Sequence, residues 1–338
     1  MTGSPRILVA THRDVLLVDP ERGEVLPADR LEGRRPTQIA WDPRVPERAW
    51  CGTTTDGVLK SEDGGRSWLP SGLQGRHVMA VTPSRARENL IWAGTEPSEV
   101  WRTDDAGLAW KKTPDLTNLP SSGEWAFPPR PETHHVRWIA CHPTKEDHLW
   151  VAVEAGALVR TTDGGATWLD RVEGGPQDTH ELALHPRRPD TLRVAGGDGY
   201  FESSDGGRSW SKPQNGLDVT YLRSVAIDPG DPEVVLVSAS TGPRSAYVAG
   251  RSDGRIYRRE GRGLWKRVLQ GWPDPPDTIA PLVRPGARDG ELWAADERGV
   301  HGSRDGGRSW TRVADFEPGP DHLRGFSLDH GSVEASGR

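Results

Sequence analysis

An all-β fold assembled from repeats is what this sequence predicts, and three observations carry the prediction. The segment Ser203-Ser204-Asp205-Gly206-Gly207-Arg208-Ser209-Trp210 recurs as Ser61 to Trp68, Thr103 to Trp110, Thr161 to Trp168 and Ser303 to Trp310, with a worn copy at Arg258 to Trp265. Forty glycines, 29 prolines and 15 tryptophans accompany little helical periodicity, the composition of a β-protein rich in tight turns. The two ends carry complementary fragments of one repeat. Together these predict a seven-bladed β-propeller of four-stranded blades, closed by N-terminal strands pairing with a C-terminal strand.

Taken in order, Ile7 to Thr11 and Val15 to Asp19 read as the second and third strands of a unit that lacks a first. Each following unit opens with a strand ending in a shared signature: Ile39 to Pro43, Met79 to Pro83, Ile139 to Pro143, Leu182 to Pro186, Val225 to Pro229 and Pro281 to Pro285. A second strand follows a polar turn and often carries tryptophan, as at Trp50, Trp92, Trp150 and Trp293. A third strand, such as Gly156 to Arg160, runs into the repeated octapeptide, and a fourth leaves it. Successive octapeptide tryptophans lie 42, 58, 42, 55 and 45 residues apart, which suits one blade per unit with two insertions. Phe326 to His330 reads as a first strand with nothing after it. Joined to the opening strands it makes the seventh blade and leaves no sheet edge open; six blades with frayed ends is the competing arrangement.

The octapeptide has the chemistry of a hairpin turn. Its aspartate can accept hydrogen bonds from the turn's own amides, and glycine supplies the positive φ of the bend. The tryptophan then opens the next strand with a large ring to bury between blades. Trp68, Trp110, Trp168, Trp210, Trp265 and Trp310 are therefore expected to be structural, as are Trp50, Trp92, Trp150 and Trp293. Trp101 and Trp272 have no assigned place.

Residues 114–135 and 240–251 are the insertions, and both fall on connections that share one face of such a ring. Long loops gathered on one face point to a binding site. First strands are innermost, so counting back along them by alternation gives two rings around the central channel. The inner ring holds Thr37, His77, Arg137, His180, Arg223, Ile279 and Arg324. The outer ring holds Arg35, Gly75, His135, Asp178, Tyr221, Asp277 and His322. Second-strand ends add His12, Glu96, Glu154, Asp198 and Glu297. Arginine forks suit a carboxylate or phosphate held bidentately. Arg137, Arg223, Arg324, His77, His135, Asp178 and Glu96 are thus candidate ligand-binding residues, with Trp125, from a proline-rich loop, as a lid or stacking residue. Glu154, His180 and Tyr221 are the candidates for acid–base roles. The competing reading is that these side chains pair with one another and plug the channel. No cofactor is implied; a divalent metal on His135, His180, His322 and Asp178 is possible but lacks a supporting sequence spacing.

A net charge of −6 argues against general nucleic-acid binding. The start lacks the apolar run of a signal peptide, and no segment approaches the ~20 apolar residues of a membrane span. A soluble cytoplasmic protein formed as one propeller domain over residues 1–338 is expected. Cys51 and Cys141 sit in strands of different units and read as buried free thiols.

The consensus Ser/Thr-x-Asp-x-Gly-x-Ser/Thr-Trp resembles the Asp-box (BNR) repeat of sialidase-like β-propellers, and the resemblance covers essentially the whole chain. Such repeats occur in sialidases, oligoxyloglucan-acting glycoside hydrolases, the sortilin luminal domain and a photosystem II assembly factor family. The chain looks most like bacterial BNR/YVTN-type proteins labelled glycosyl hydrolases. By that resemblance Arg137, Arg223 and Arg324 would imitate the sialidase arginine triad and Tyr221 its nucleophile. The Arg-Ile-Pro motif before the first sialidase arginine is absent, which tells against true sialidase activity. Two functions follow as expectations: a hydrolase or lyase acting on a small anionic, sugar-like ligand, or a non-catalytic scaffold binding a protein partner.

Overall fold

The computed structural model describes residues 5–329 apart from 252 and 275; Met1 to Ser4 and His330 lie outside the described residues. The chain is a seven-bladed propeller. Leu323–Leu328 pairs antiparallel with Ile7–Thr11, which pairs with Val15–Asp19 and then Glu24–Leu26, so one blade is made from both ends of the described chain. The first blade follows with Pro36–Trp41, Ala49–Thr53, Val58–Ser61 and Leu69–Pro70. The second, fifth and sixth blades also have four strands. The third and fourth have three, and their outermost segments join through the single bridges Arg160↔Leu169 and Glu202↔Ser211.

The octapeptides form the expected turns. Asp205 Oδ1 accepts the amides of Arg208 and Ser209 at 2.9 Å each, and its Oδ2 accepts the Ser209 hydroxyl at 2.7 Å. Gly206 and Gly207, at φ +73° and +83°, supply the left-handed pair that brings those amides round. In the worn copy Glu260 bonds Arg258 and Arg308 instead of its own turn. The tryptophans then pack across blade boundaries: Trp110 Nε1 donates to Ser71 O at 2.6 Å and Trp265 Nε1 to Pro213 O at 2.9 Å, each reaching into the preceding blade. Trp50 and Trp92 are fully buried, Trp150 and Trp293 nearly so. Of the two unassigned rings, Trp272 is buried against Trp310, and Trp101 lies 4.9 Å from the Arg76 guanidinium. Both cysteines are free, Cys51 buried and Cys141 partly so, and burial pushes the Cys141 thiol up to about 12.

One irregularity decides what faces the channel. The innermost strands shift register between Pro36 and Gln38, Val78 and Ala80, Val136 and Trp138, Thr179 and Glu181, and Leu222 and Ser224; the closing strand does so between Leu323 and Gly325. The skipped residues are Thr37, Met79, Arg137, His180, Arg223 and Arg324. A β-bulge leaves its extra residue unpaired and re-aims the side chains around it. The ladders also correct the predicted register. Trp50 and Trp150 face Ala40 and Ala140, whereas Trp92 faces Thr82 and Trp293 faces Arg284. The signatures of the second and sixth blades therefore begin at Val81 and Val283, two residues later than the prolines Pro83 and Pro285 suggested. Met79 and Pro281 hold the inner-ring positions there, and His77 and Ile279 move to the outer ring.

Candidate functional site at the channel mouth

Below the mouth the channel is plugged. Arg284 Nη1 bonds Glu181 Oε1 at 2.7 Å, Ser224 Oγ donates to Glu181 Oε2 at 2.9 Å, and Arg284 Nε donates to Phe326 O at 2.9 Å. The same guanidinium lies 5.2 Å from the Trp138 ring, whose Nε1 donates to Leu182 O at 3.0 Å. Glu181, Ser224 and Trp138 each follow a bulged residue. Simple alternation turns them away from the channel, which is why the sequence reading missed this tier.

Arg223 belongs to the plug rather than to a ligand site. Only 2% exposed, it donates from Nη1 to Ala280 O at 2.5 Å and Ala246 O at 3.3 Å, and from Nη2 to Leu323 O at 2.5 Å. Burial lowers its pKa to about 10, helped by Arg137 and Arg324 nearby. Its fork is spent on backbone carbonyls, so Arg137, Arg223 and Arg324 do not form a three-arginine carboxylate clamp.

Above the plug, Glu154 is a hub. Its Oε2 accepts His135 Nε2 at 2.7 Å and faces Arg137 Nε at 3.5 Å, while its Oε1 faces His180 Nε2 at 3.6 Å. Burial works against the charge of Glu154, but the His135 bond and the charges of Arg137 and His180 outweigh it and hold the carboxyl down at about 2. Glu154 is thus an anion at neutral pH. His135, 1% exposed, orients Glu154 and is not open to a ligand.

Asp178 Oδ1 lies 3.8 Å from His180 Nε2 and accepts the Ala155 amide at 3.1 Å. Burial and the Glu154 charge raise its pKa against the pull of His180. His180 donates from Nδ1 to Leu222 O at 2.5 Å. Ligand-capable atoms of Glu154, Asp178 and His180 lie within 4.8 Å of one another. This is not the metal set expected from sequence: His135 is taken by Glu154, and His322 lies against His12, outside the cluster.

The insertion at 240–251 contributes a residue that sequence reasoning overlooked. A short helix, Pro243–Tyr247, drops Tyr247 into the mouth. Its ring lies 4.6 Å from the Arg223 guanidinium and 6.4 Å from the Tyr221 ring, and its phenol acts electrostatically on Arg137 and Tyr221. The only signal was an aromatic in an insertion already assigned to this face. Burial, reinforced by the surrounding tyrosine and carboxylates, pushes the Tyr221 hydroxyl far up, so it is a proton donor rather than a nucleophilic phenolate. Arg324 stands apart: it is exposed, and among the described residues it makes no hydrogen bond or ion pair. Partial desolvation of its guanidinium and repulsion from Arg137 lower its pKa, against the pull of Glu154.

Three other candidates serve the loop at 114–135. Glu96 is held bidentately by Arg130, at 2.6 and 3.1 Å, with His77 Nδ1 at 3.7 Å, so it clasps the loop and does not await a ligand. Trp125 is no lid. It is 5% exposed, packs with Trp92, Val136 and Val153 between the second and third blades, and donates to Ser121 Oγ at 3.0 Å. Phe127 covers the mouth side instead, edge-on to His135 at 4.8 Å.

Among the described residues no helix is long and apolar enough to cross a membrane. No protein-family model matches the chain, and no curated protein matches it. Solved structures do. The Niastella koreensis GH74 enzyme aligns with TM-score 0.69 at 14% identity, over 91% of this chain and 52% of that one. The GH74 xyloglucanase of Xanthomonas campestris aligns with TM-score 0.66 at 15% identity, over 97% and 53%. YCF48 bound to D1 peptide aligns with TM-score 0.61 at 18% identity, over 90% and 86%. The chain thus spans about half the length of these two GH74 enzymes, and identities this low establish a shared propeller fold alone.

Proposed function

We propose that the channel mouth binds a small anionic, sugar-like ligand and acts on it as a hydrolase or lyase. The observation that carries this reading is Arg324: an exposed guanidinium with no partner among the described residues, set beside two further arginines. Arg324 has only the more distant charge of Glu154 against the repulsion of Arg137, and an anion arriving from solvent supplies the close partner it lacks. Arg324 and the exposed side of Arg137 take the anionic group. The acidic pole of Glu154, Asp178 and His180 faces the reacting part of the ligand, and Tyr221 supplies a proton. The carboxylate oxygens, within 4.8 Å, leave no room for the water that an inverting glycosidase pair holds across roughly 6.5–9.5 Å.

The test is a thermal-shift panel of sugar acids, phosphate esters and small carboxylates on wild type and Arg324→Ala. A ligand at ~100 times its Kd adds about 2.7 kcal/mol, a readable shift. A shift in wild type that the variant lacks supports the reading; equal shifts in both, or none, overturn it. A second reading, a non-catalytic scaffold for a protein partner, is favoured by one observation: the alignment takes in 86% of the YCF48 chain. It predicts a peptide or protein ligand at the same face with no turnover of any small molecule.

A further inference from the structure

We propose that Glu154, Asp178 and His180 form a binding site for one divalent transition-metal ion, Zn2+ or Mn2+. The inference rests on the channel-mouth reading for its purpose, since the ion would be the electrophile facing the bound anion.

The argument begins with the two histidines on Glu154. A charged imidazole beside a carboxylate closes to about 2.7–2.9 Å. His135 does so, with Nε2 at 2.7 Å from Oε2. His180 does not: its Nε2 stands 3.6 Å from Glu154 Oε1 and 3.8 Å from Asp178 Oδ1, and it makes no hydrogen bond. Yet His180 is 2% exposed and aimed between both carboxylates. Its other nitrogen is already engaged. A carbonyl only accepts, so the 2.5 Å contact to Leu222 O places a proton on Nδ1, and Nε2 is the nitrogen that a metal ion would take, in place of any proton there. A metal-ligating histidine is characteristically held by its other ring N–H on a carbonyl or carboxylate.

Three potential ligand atoms therefore converge from two strand ends. Ligands bound at 2.0–2.2 Å to one ion lie roughly 3–4.3 Å apart, and the separations from His180 fall in that range. The division of labour within Glu154 fits as well. Oε2 carries His135 and Arg137, and Oε1 is left for the ion. Arg137, on the far oxygen, and the charge of Arg324 oppose occupancy. One imidazole with two carboxylates suits a borderline ion, and three protein ligands leave positions open to the channel, the arrangement of a catalytic rather than a structural site. Gly197 is part of the design: a Cβ there would lie 2.0 Å from Asp178 Oδ2.

Calorimetric titration of the metal-free protein with ZnCl2 and with MnCl2, without organic ligand, tests the site. One ion per chain is expected, with affinity reduced at least about tenfold in Asp178→Asn, a near-isosteric change at a half-buried position. Because a His180 variant can fail to fold, Mn2+ electron spin echo spectroscopy of wild type supplies an independent readout: modulation from one directly bound imidazole nitrogen. Glu297→Gln, a mouth carboxylate outside the site, should bind as wild type does. Failure of both ions to bind wild type, unchanged affinity in Asp178→Asn, or Mn2+ lacking a nitrogen ligand would each overturn the proposal. The anion reading is judged separately by Arg324→Ala, which should retain the ion.

Discussion

Arg223 and Arg324 occupy equivalent bulge positions and have opposite fates, and that contrast is the sharpest lesson at the scale of single residues. Arg223 is fixed by the carbonyls of Ala246, Ala280 and Leu323, so Arg223→Met strands three buried acceptors. Losing the partner of buried groups costs about 1–3 kcal/mol for each well-formed bond, and a total near 3 kcal/mol is expected in urea unfolding. Arg324→Ala removes no bond and relieves repulsion, so stability should stay within ~0.5 kcal/mol of wild type or rise. A comparable loss in both variants would contradict the assignment of one to the plug and the other to the ligand. Outside the Glu154 cluster, Asp296 gives a pH signature. It is fully buried; burial opposes its charge, but His301 Nε2 at 3.3 Å and the Arg298 guanidinium at 2.5 Å overcome that and depress its pKa, with Thr278 also donating to it and Glu297 beside it. A depressed folded-state pKa means stabilisation present above the unfolded value near ~4 and lost as pH falls towards the folded one. Asp296→Asn should therefore lower stability at pH 7 and flatten its decline below pH ~4, as followed by unfolding midpoints across that window.

At the scale of the element, the octapeptide turn is the unit that repeats, and its aspartate is the residue to test. Asp205→Ala removes the acceptor of two amides and two hydroxyls on a surface turn, for an expected loss of about 1–2 kcal/mol. Asp205→Asn keeps one acceptor oxygen and should lose less; equal losses would show that charge, not acceptor geometry, sets the value. These turns were legible because their chemistry is local: Ser203, Asp205, Gly206, Gly207 and Ser209 satisfy one another within seven residues. The innermost strands were legible only in part. Their presence followed from the signatures, but Pro83 and Pro285 are poor register marks, and His77 and Ile279 were misplaced by two residues each. The bulge is harder still to foresee. At Thr37 and His180 the bulged residue bonds a carbonyl of the next blade's inner strand, 41 and 42 residues on, and no local pattern announces that contact. Glu154, Asp178 and Tyr221 were found because they sit at strand ends outside the bulge, and His180 because it is the bulged residue itself. Glu181 and Ser224 were missed because they sit just past the bulge, and Arg284 because the register of its strand was misplaced by two residues. Trp125 was misjudged because a proline-rich loop says nothing about which way its aromatic rings turn.

For the whole molecule, what matters is closure. A propeller blade packs on two neighbours, so an open ring exposes two blade faces and two sheet edges at once. Here the seam is one strand wide: Leu323–Leu328 on Ile7–Thr11, fastened outside by Arg6, whose guanidinium bonds Asp329 Oδ2 at 2.8 Å and Glu47 Oε2 at 2.8 Å. Phe326 is the apolar centre of that seam, 1% exposed and packed with Ile7, Val9 and Leu282, so it joins the closing strand to both the N-terminal strand and the sixth blade. Phe326→Ala should cost about 3–5 kcal/mol, the usual range for emptying a buried phenylalanine site. The consequence should also differ in kind from an equal loss elsewhere. Opening the seam releases the strand that carries Arg324 and the Leu323 carbonyl that holds Arg223, so the mouth should lose its anion response below the temperature at which the remaining blades unfold. Two transitions, the earlier one abolishing ligand response, would be seen in the variant by calorimetry with and without ligand. A single transition that retains the response until global unfolding would show that the seam is no weaker than the other blade interfaces, and that closure does not govern the site.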